Sequence, residues 1–262
     1  MNLENRHILI TGANRGIGLA LAEQAAHQKM HLHLLGRTEN SESLEELKKL
    51  GASSVTTWFV DMSSRESIDS FIQKFQGEGG QPHVLINNAG LLTGGLIEEQ
   101  PIDQIYQMLQ VNLAGMIHLT HGLLPLMSKL DAAKIVNNAS VSGLMYLPCA
   151  STYAASKAGV VAFTESLRNE LEGTHVSTMV MITPGVKTRM YDKIFDLYSG
   201  HLDLGFLSSI SAEEWALRVF QHIKKDKAQC WPKGTSYFGV KMGQHTPRLL
   251  ARFVKPYFKR EI

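Results

Sequence analysis

Only two cysteines, Cys149 and Cys230, occur in 262 residues, so no disulfide framework can hold the chain together. Neither lies in a CxxC or Cys/His spacing that would ligate a metal. A reducing compartment and no metal are expected. Long apolar runs are also missing: no stretch reaches the roughly 18 residues that a membrane span needs. The opening residues, MNLENRHILITGA, lack the basic segment and apolar run of a secretory leader. A cytoplasmic location without a transmembrane segment is therefore expected. Charge of one sign is scarce too. Lys and Arg number 26 and Asp and Glu 24, a net charge of +2, far below the basic field that binding nucleic acid requires. No internal repeat, Pro-rich linker or low-complexity stretch divides the chain. Its length suits one large α/β core, and the reading is a single domain over residues 1–262.

Hydrophobic residues make up 44% and charged residues 19%, an ordinary globular balance. Within it, short apolar runs alternate with helical periodicity. Strands are expected over 7–11, 31–35, 55–60, 84–87, 134–139 and 176–182, and helices over 17–29, 41–50, 68–75, 102–127 and 152–171. Such alternation implies right-handed crossovers and an α/β fold, a Rossmann-like doubly wound parallel sheet with helices on both faces. Beyond Pro184 the rhythm fades. Residues 189–210 mix Met190, Tyr191, Ile194, Phe195 and Phe206 with polar side chains and read as part of a substrate-covering flap around 186–210. An amphipathic helix returns over 211–224, with Ser211 as N-cap and Glu214 completing a capping box. A C-terminal extension around 233–262 ends in a basic helix over 246–259, interrupted at Pro256. Core or subunit packing is the reading of that helix, with a membrane surface or an acyl carrier as alternatives.

Between the first strand and helix stands TGANRGIG, residues 11–18. A tight turn needs unrestricted φ at Gly12, a pyrophosphate approaches closely only where Gly16 has no side chain, and Gly18 lets helix pack on strand. Backbone N–H groups and the positive helix end then meet phosphates. At the end of the second strand an acidic residue would bind a ribose 2′-OH and repel a 2′-phosphate. Gly36 and Arg37 stand there instead, and Arg15 lies in the loop. Two guanidinium groups and no carboxylate favour NADP(H) over NAD, unless both arginines are merely solvated surface charges.

Tyr153 and Lys157 are spaced i, i+4 on an expected helix and so share one face. Ser140 ends an expected strand thirteen residues before Tyr153, at the sheet edge where open α/β folds bind ligands. Taken in order, TGANRGIG (11–18), Asp61, NNAG (87–90), Asn112, Ser140, YAASK (153–157) and Pro184-Gly185 resemble the classical short-chain dehydrogenases/reductases. The resemblance covers residues 5–190 well and the remainder loosely.

That resemblance implies a catalytic set of Asn112, Ser140, Tyr153 and Lys157. Tyr153 would exchange a proton with the substrate oxygen while a nicotinamide exchanges hydride with the carbon. Lys157 would lower the phenol pKa and bind the nicotinamide ribose, Ser140 would orient the carbonyl, and Asn112 would hold a water leading to Lys157. Taken alone, Ser140 could be a strand-end cap and Asn112 a helix-kink residue. Cofactor contacts are implied at Gly12, Asn14, Arg15, Gly16, Ile17, Gly18 and Arg37. Asp61, Met62, Asn88, Ala89 and Gly90 would line the adenine side and cleft, although Asp61 could instead cap the next helix. Pro184, Gly185, Val186 and Thr188 complete the set beside Tyr153 and Lys157. The run PGVKT is one residue shorter than the family pattern, and Asn14 replaces a frequent small hydroxyl residue.

The expected cleft segments, 91–92, 144–149 and 190–195, are apolar. A small hydrophobic carbonyl or alcohol substrate is expected at Leu92, Ser140, Leu144, Tyr146, Tyr153, Met190 and Tyr191, unless these side chains simply pack the flap. A 3-oxoacyl thioester reductase is the alternative within the same chemistry, and a non-catalytic dinucleotide-binding regulator the alternative outside it. The helices around Asn112 and Tyr153 resemble those the family uses in a homodimer or homotetramer.

Overall fold

A computed structural model describes residues 1–38, 41–198, 200–205 and 207–261. Phe206, expected in the flap, lies outside the described residues. The strands are β1 (His7–Thr11), β2 (His31–Gly36), β3 (Ser54–Phe59), β4 (Val84–Asn87), β5 (Ala133–Asn138), β6 (Val176–Met181), β7 (Gly185–Val186), β8 (Ser209–Ile210) and β9 (Gln229–Cys230). Between and after them run α1 (Gly16–His27), α2 (Ser41–Lys49), α3 (Arg65–Gly77), α4 (Ile102–Leu109), α5 (Gly115–Met127), α6 (Ser151–Glu170), α7 (Arg189–Tyr198), α8 (Ala212–Lys224), α9 (Thr235–His245) and α10 (Pro247–Val254). Seven strands form one parallel sheet in the order β3-β2-β1-β4-β5-β6-β9. The Rossmann-like, doubly wound architecture follows.

Central strands such as VLIN and AKIVNN are buried throughout, as a parallel sheet covered on both faces requires. On one face α1 and α8 pack through Leu21, Ala25, Trp215 and Val219; on the other, α3 and α5 pack through Phe71, Phe75, Leu119 and Leu123. Chain order reverses where β1 is flanked by β2 and β4, which opens a crevice at their C-terminal ends.

Several expected boundaries change for physical reasons. The helix over 102–127 is helical throughout but passes through a π turn at Gln110–Ala114, an insertion often found at functional sites. Ser211 does cap α8, accepting from Glu214 N–H at 3.1 Å, but the Glu214 carboxylate accepts from Arg218 at 3.1 Å. The basic helix over 246–259 stops at Val254 and gives way to a 3-10 turn at Lys255–Tyr257 that holds Pro256. The two-residue β7, β8 and β9 were not expected, nor was α9, whose Gly239 and Gly243 dilute the apolar periodicity.

The flap is not irregular either, since α7 occupies 189–198. Its two ends are pinned where Gly185 and Val186 pair with Ser209 and Ile210. At the opposite end of the sheet, the His7 and His31 rings stack at 4.5 Å, and Trp58 Nε1 donates to His33 Nδ1 at 3.1 Å. That bond makes His33 Nε2 the donor to His7 Nδ1, 3.0 Å away.

Candidate active site

The glycine loop owes its shape to three different constraints. Gly12 (φ 66°) and Gly16 (φ 56°) both occupy the left-handed region that favours glycine. A Cβ on Gly16 would press to 3.1 Å from the Thr188 methyl, and one on Gly18 would collide with the Gly12 carbonyl. Gly16 therefore makes room for the flap as well as for a ligand. Asn14 donates to the Thr38 carbonyl and, at 2.7 Å, to its hydroxyl, tying the loop to the end of β2. Arg15 is the N-cap residue of α1 and gives it no side-chain cap. The first-turn N–H groups of Gly16, Ile17 and Gly18 therefore point outward as an anion cradle.

Arg15 and Arg37 are exposed, and neither forms an ion pair among the described residues. Asp61 does not cap α3. Ser64 does, while Asp61 Oδ1 accepts from the Ser63 hydroxyl at 2.6 Å and its N–H at 2.9 Å. Burial opposes ionisation of Asp61, yet those two bonds and the Arg37 charge hold its pKa below the usual value. Met62 is buried, and its carbonyl packs so tightly on Gly115 that a Cβ there would collide with it.

Beneath the loop lies a continuous polar network. Thr11 Oγ1 accepts from the N–H groups of both Asn88 and Ala89 at 2.9 Å. Asn88 Nδ2 donates to the Thr11 carbonyl at 3.0 Å, and its Oδ1 accepts from Asn138 Nδ2 at 3.0 Å. Asn138 Oδ1 accepts from Thr183 at 2.5 Å, and its backbone carbonyl accepts from Lys157 Nζ at 2.8 Å. Asn138 thus joins β4, β5, α6 and the end of β6. Sequence reasoning missed both Thr11 and Asn138. The available signal was a polar Asn137-Asn138 pair directly after the apolar Ile135-Val136.

Ser140, Tyr153, Lys157 and Asn112 come together at this edge. The Ser140 hydroxyl stands near the Tyr153 phenol and favours its ionised form, and Lys157 Nζ lies 5.8 Å from the centre of the Tyr153 ring. Ser140 also caps the short turn that follows it, accepting from Ser142 N–H at 3.1 Å. A Cβ on Gly90 would stand 3.7 Å from Lys157 Nζ and 3.3 Å from Asn112 Oδ1. Asn112 accepts from Leu91 N–H at 2.7 Å, donates to the Leu91 carbonyl at 2.9 Å and donates to the Ser156 hydroxyl at 3.2 Å. The expected lowering of the phenol pKa does not occur. Burial outweighs the opposing influence of Ser140 and pushes Tyr153 up to about 12, while burial brings Lys157 down to about 8; removal from water disfavours both charged forms.

The expected substrate segments are divided. Leu92 and Tyr191 are half-buried, Tyr146 is exposed, and Met190 is exposed at the start of α7. Tyr191 lies against Gly185 and meets Phe195 edge-on at 5.5 Å. Leu144 turns into a satellite core with Val160 and Val240. Pro184 is half-buried, and Val186 sends its side chain into the main core, which leaves its backbone for the cleft. Thr188 Oγ1 accepts from Tyr191 N–H at 3.3 Å and so caps α7. A further residue, Tyr198, was not foreseen. It lies over Gly94, within an apolar cluster of Cys149, Leu202, Leu204, Leu250 and Val254. Burial, with smaller contributions from Tyr153 and Cys149, raises its pKa. A cavity of about 830 Å³ lies between flap residues Phe195 and 200–205 and the C-terminal residues 256–261, and none of the catalytic candidates lines it.

Comparison with known proteins agrees with this geometry. The chain is 26% identical to a 3-oxoacyl-[acyl-carrier-protein] reductase of Haemophilus influenzae, over 80% of this chain and 84% of that one. It is 27% identical to a 3-ketodihydrosphingosine reductase of Bacteroides thetaiotaomicron, over 95% and 85%. Among solved structures, a short-chain dehydrogenase/reductase from Burkholderia phymatum in complex with NAD superposes with a TM-score of 0.82 at 25% identity, covering 95% of this chain and 96% of that one. The family model for short chain dehydrogenases matches residues 6–198, and the chain belongs to that family of oxidoreductases.

Proposed function

We propose that the chain interconverts a carbonyl and an alcohol on a hydrophobic substrate with NADP(H), using Tyr153 as the acid and base. The observation that carries this reading is the Lys157 ammonium, clamped on the Asn138 carbonyl at 2.8 Å and 5.8 Å from the centre of the Tyr153 ring, with Ser140 near the phenol. Bound on the glycine loop, a nicotinamide dinucleotide would supply or accept the hydride. In the reducing direction, the Tyr153 phenol, kept neutral by a pKa near 12, gives its proton to the substrate oxygen that Ser140 orients. Lys157, with its pKa near 8, is still charged at neutral pH and available to ribose hydroxyls. Asn112 fixes Leu91 and the cleft wall.

The N–H groups of Gly16, Ile17 and Gly18 suit a pyrophosphate, and Asp61 and Asn88 border the adenine side. Arg37, with Arg15 beside the loop, suits a 2′-phosphate. The apolar cluster above Tyr153 suits an acyl-derived ketone, as do the names of the two reductases above. A 3-oxoacyl thioester is the second reading, favoured by the Haemophilus relative.

Tyr153→Phe is expected to cut kcat by about 10²–10⁴ or more, with NADPH binding, followed by fluorescence, unchanged. Undiminished turnover would overturn the role of Tyr153. No turnover by the intact chain across long-chain ketones, 3-oxoacyl thioesters and alcohols would favour a non-catalytic regulator. Arg37→Asp is expected to lower kcat/KM with NADPH about tenfold or more relative to NADH, the loss of a charge-assisted phosphate contact. An unchanged ratio would remove Arg37 from cofactor choice.

A further inference from the structure

Helix α10 turns only Leu250 and Val254 inward, each 3% exposed, to the cluster that holds Tyr198 and Leu202. Leu249 and Phe253, one turn apart, are 54% and 55% exposed. Their strip continues to Tyr257, whose ring lies 6.1 Å from that of Phe253. On the next strip around the helix stand Arg248 and Arg252, followed by Lys255. All three are exposed, and none makes an ion pair among the described residues. Residues 233–261 carry seven lysines and arginines against Glu261 alone, on a chain whose total charge is only +2. The rest of the molecule is therefore net acidic.

We infer that this face of α10 docks on an anionic lipid bilayer. Apolar side chains flanked by cations match the two layers of such a surface: Leu249 and Phe253 reach the acyl boundary while Arg248, Arg252 and Lys255 meet the headgroups. A second copy of the chain fits poorly. A two-fold contact would bring the three cations of each copy into one interface. The attachment is reversible and salt-sensitive, since it rests on few apolar side chains and on screened charges. It also has a place relative to the cleft, because a Cβ on Gly243 of the adjoining α9 would lie 2.8 Å from the Leu144 carbonyl and Met145 Cα. The lid side of the site would thus face the bilayer.

The inference rests on the surface alone, so its test does not use turnover. The full chain is sedimented with vesicles of phosphatidylcholine alone and of phosphatidylcholine mixed equally with phosphatidylglycerol. Partition onto the mixed vesicles, reduced by high salt, is expected. R248E/R252E should lower it roughly 20-fold or more, and L249S/F253S should abolish it. These positions are exposed, and near-UV circular dichroism checks that both variants keep the fold. Failure of the intact chain to bind the mixed vesicles would overturn the inference, as would equal binding to the neutral ones. A change of sedimentation mass in L249S/F253S with vesicle binding intact would likewise overturn it and assign the face to another copy of the chain.

Discussion

Asn138 and Tyr198 approach the same cleft from opposite sides and are held by different forces. Asn138 uses its amide on Asn88 and Thr183 and its carbonyl on Lys157. Tyr198 is the buried residue of α7 and is fixed by apolar packing against Leu202, Leu204 and Cys149. A buried hydrogen-bonded network has few alternative arrangements, because each unmade bond costs about 1–3 kcal/mol. A packed apolar lid can slide or open at lower cost. Under the proposed function, the floor would fix where a proton moves and the lid would adapt to what carries it.

The sharpest way to break this comparison is Asn138→Ala. It strands the Thr183 hydroxyl, on a residue only 6% exposed, and frees the side chain of Asn88. A loss of about 2–4 kcal/mol is expected from two orphaned groups, measured by urea unfolding, together with a fall in kcat. A loss below about 0.5 kcal/mol would mean that the floor is not the rigid part.

A second prediction uses the far end of the same sheet as a control. Burial, followed by the charges of neighbouring histidines, pushes His7 and His33 down to about 4. The unfolded chain takes up these protons below about 6.5, while the folded chain refuses them until about 4. Stability therefore falls as pH drops through that window. His33→Gln should recover about 2 kcal/mol at pH 4.5 relative to pH 7, half-burial reducing the full effect. Equal acid sensitivity in variant and parent would place the weak point elsewhere.

The floor was legible in the sequence to the extent that backbone chemistry demands particular residues. Glycines at 12, 16 and 18 and the Tyr153–Lys157 spacing each answer a local geometric need, and the structure brings them to one edge. Thr11 and Asn138 were less legible, because a threonine or asparagine closing a strand looks the same whether it is solvated or ties four elements together. The phenol pKa went the other way because burial, a tertiary property, outweighs the opposing influence of Ser140. The lid was hardly legible. Apolar residues from 145 to 258 meet in one cluster, and no period in the sequence links positions so far apart. Leu144 illustrates the difficulty, since it is apolar and beside the cleft yet belongs to another core.

The smallest expected effect tests whether the lid opens on its own. Leu202 is 1% exposed and belongs to the flap, where it packs in one cluster with Tyr198 and Leu250. Truncating a buried leucine ordinarily costs about 2–5 kcal/mol. If the lid unfolds before the sheet, most of that cost falls on local opening, since global unfolding starts from a state that has already lost the contact. Leu202→Ala should then shift the global urea transition by less than about 1 kcal/mol. Amide exchange over 189–204 should accelerate by about tenfold or more, while that of 133–138 stays as before. A full-sized loss of global stability with uniform acceleration would join lid and floor into one cooperative unit, and the contrast between Asn138 and Tyr198 would then be one of chemistry without a difference in mobility.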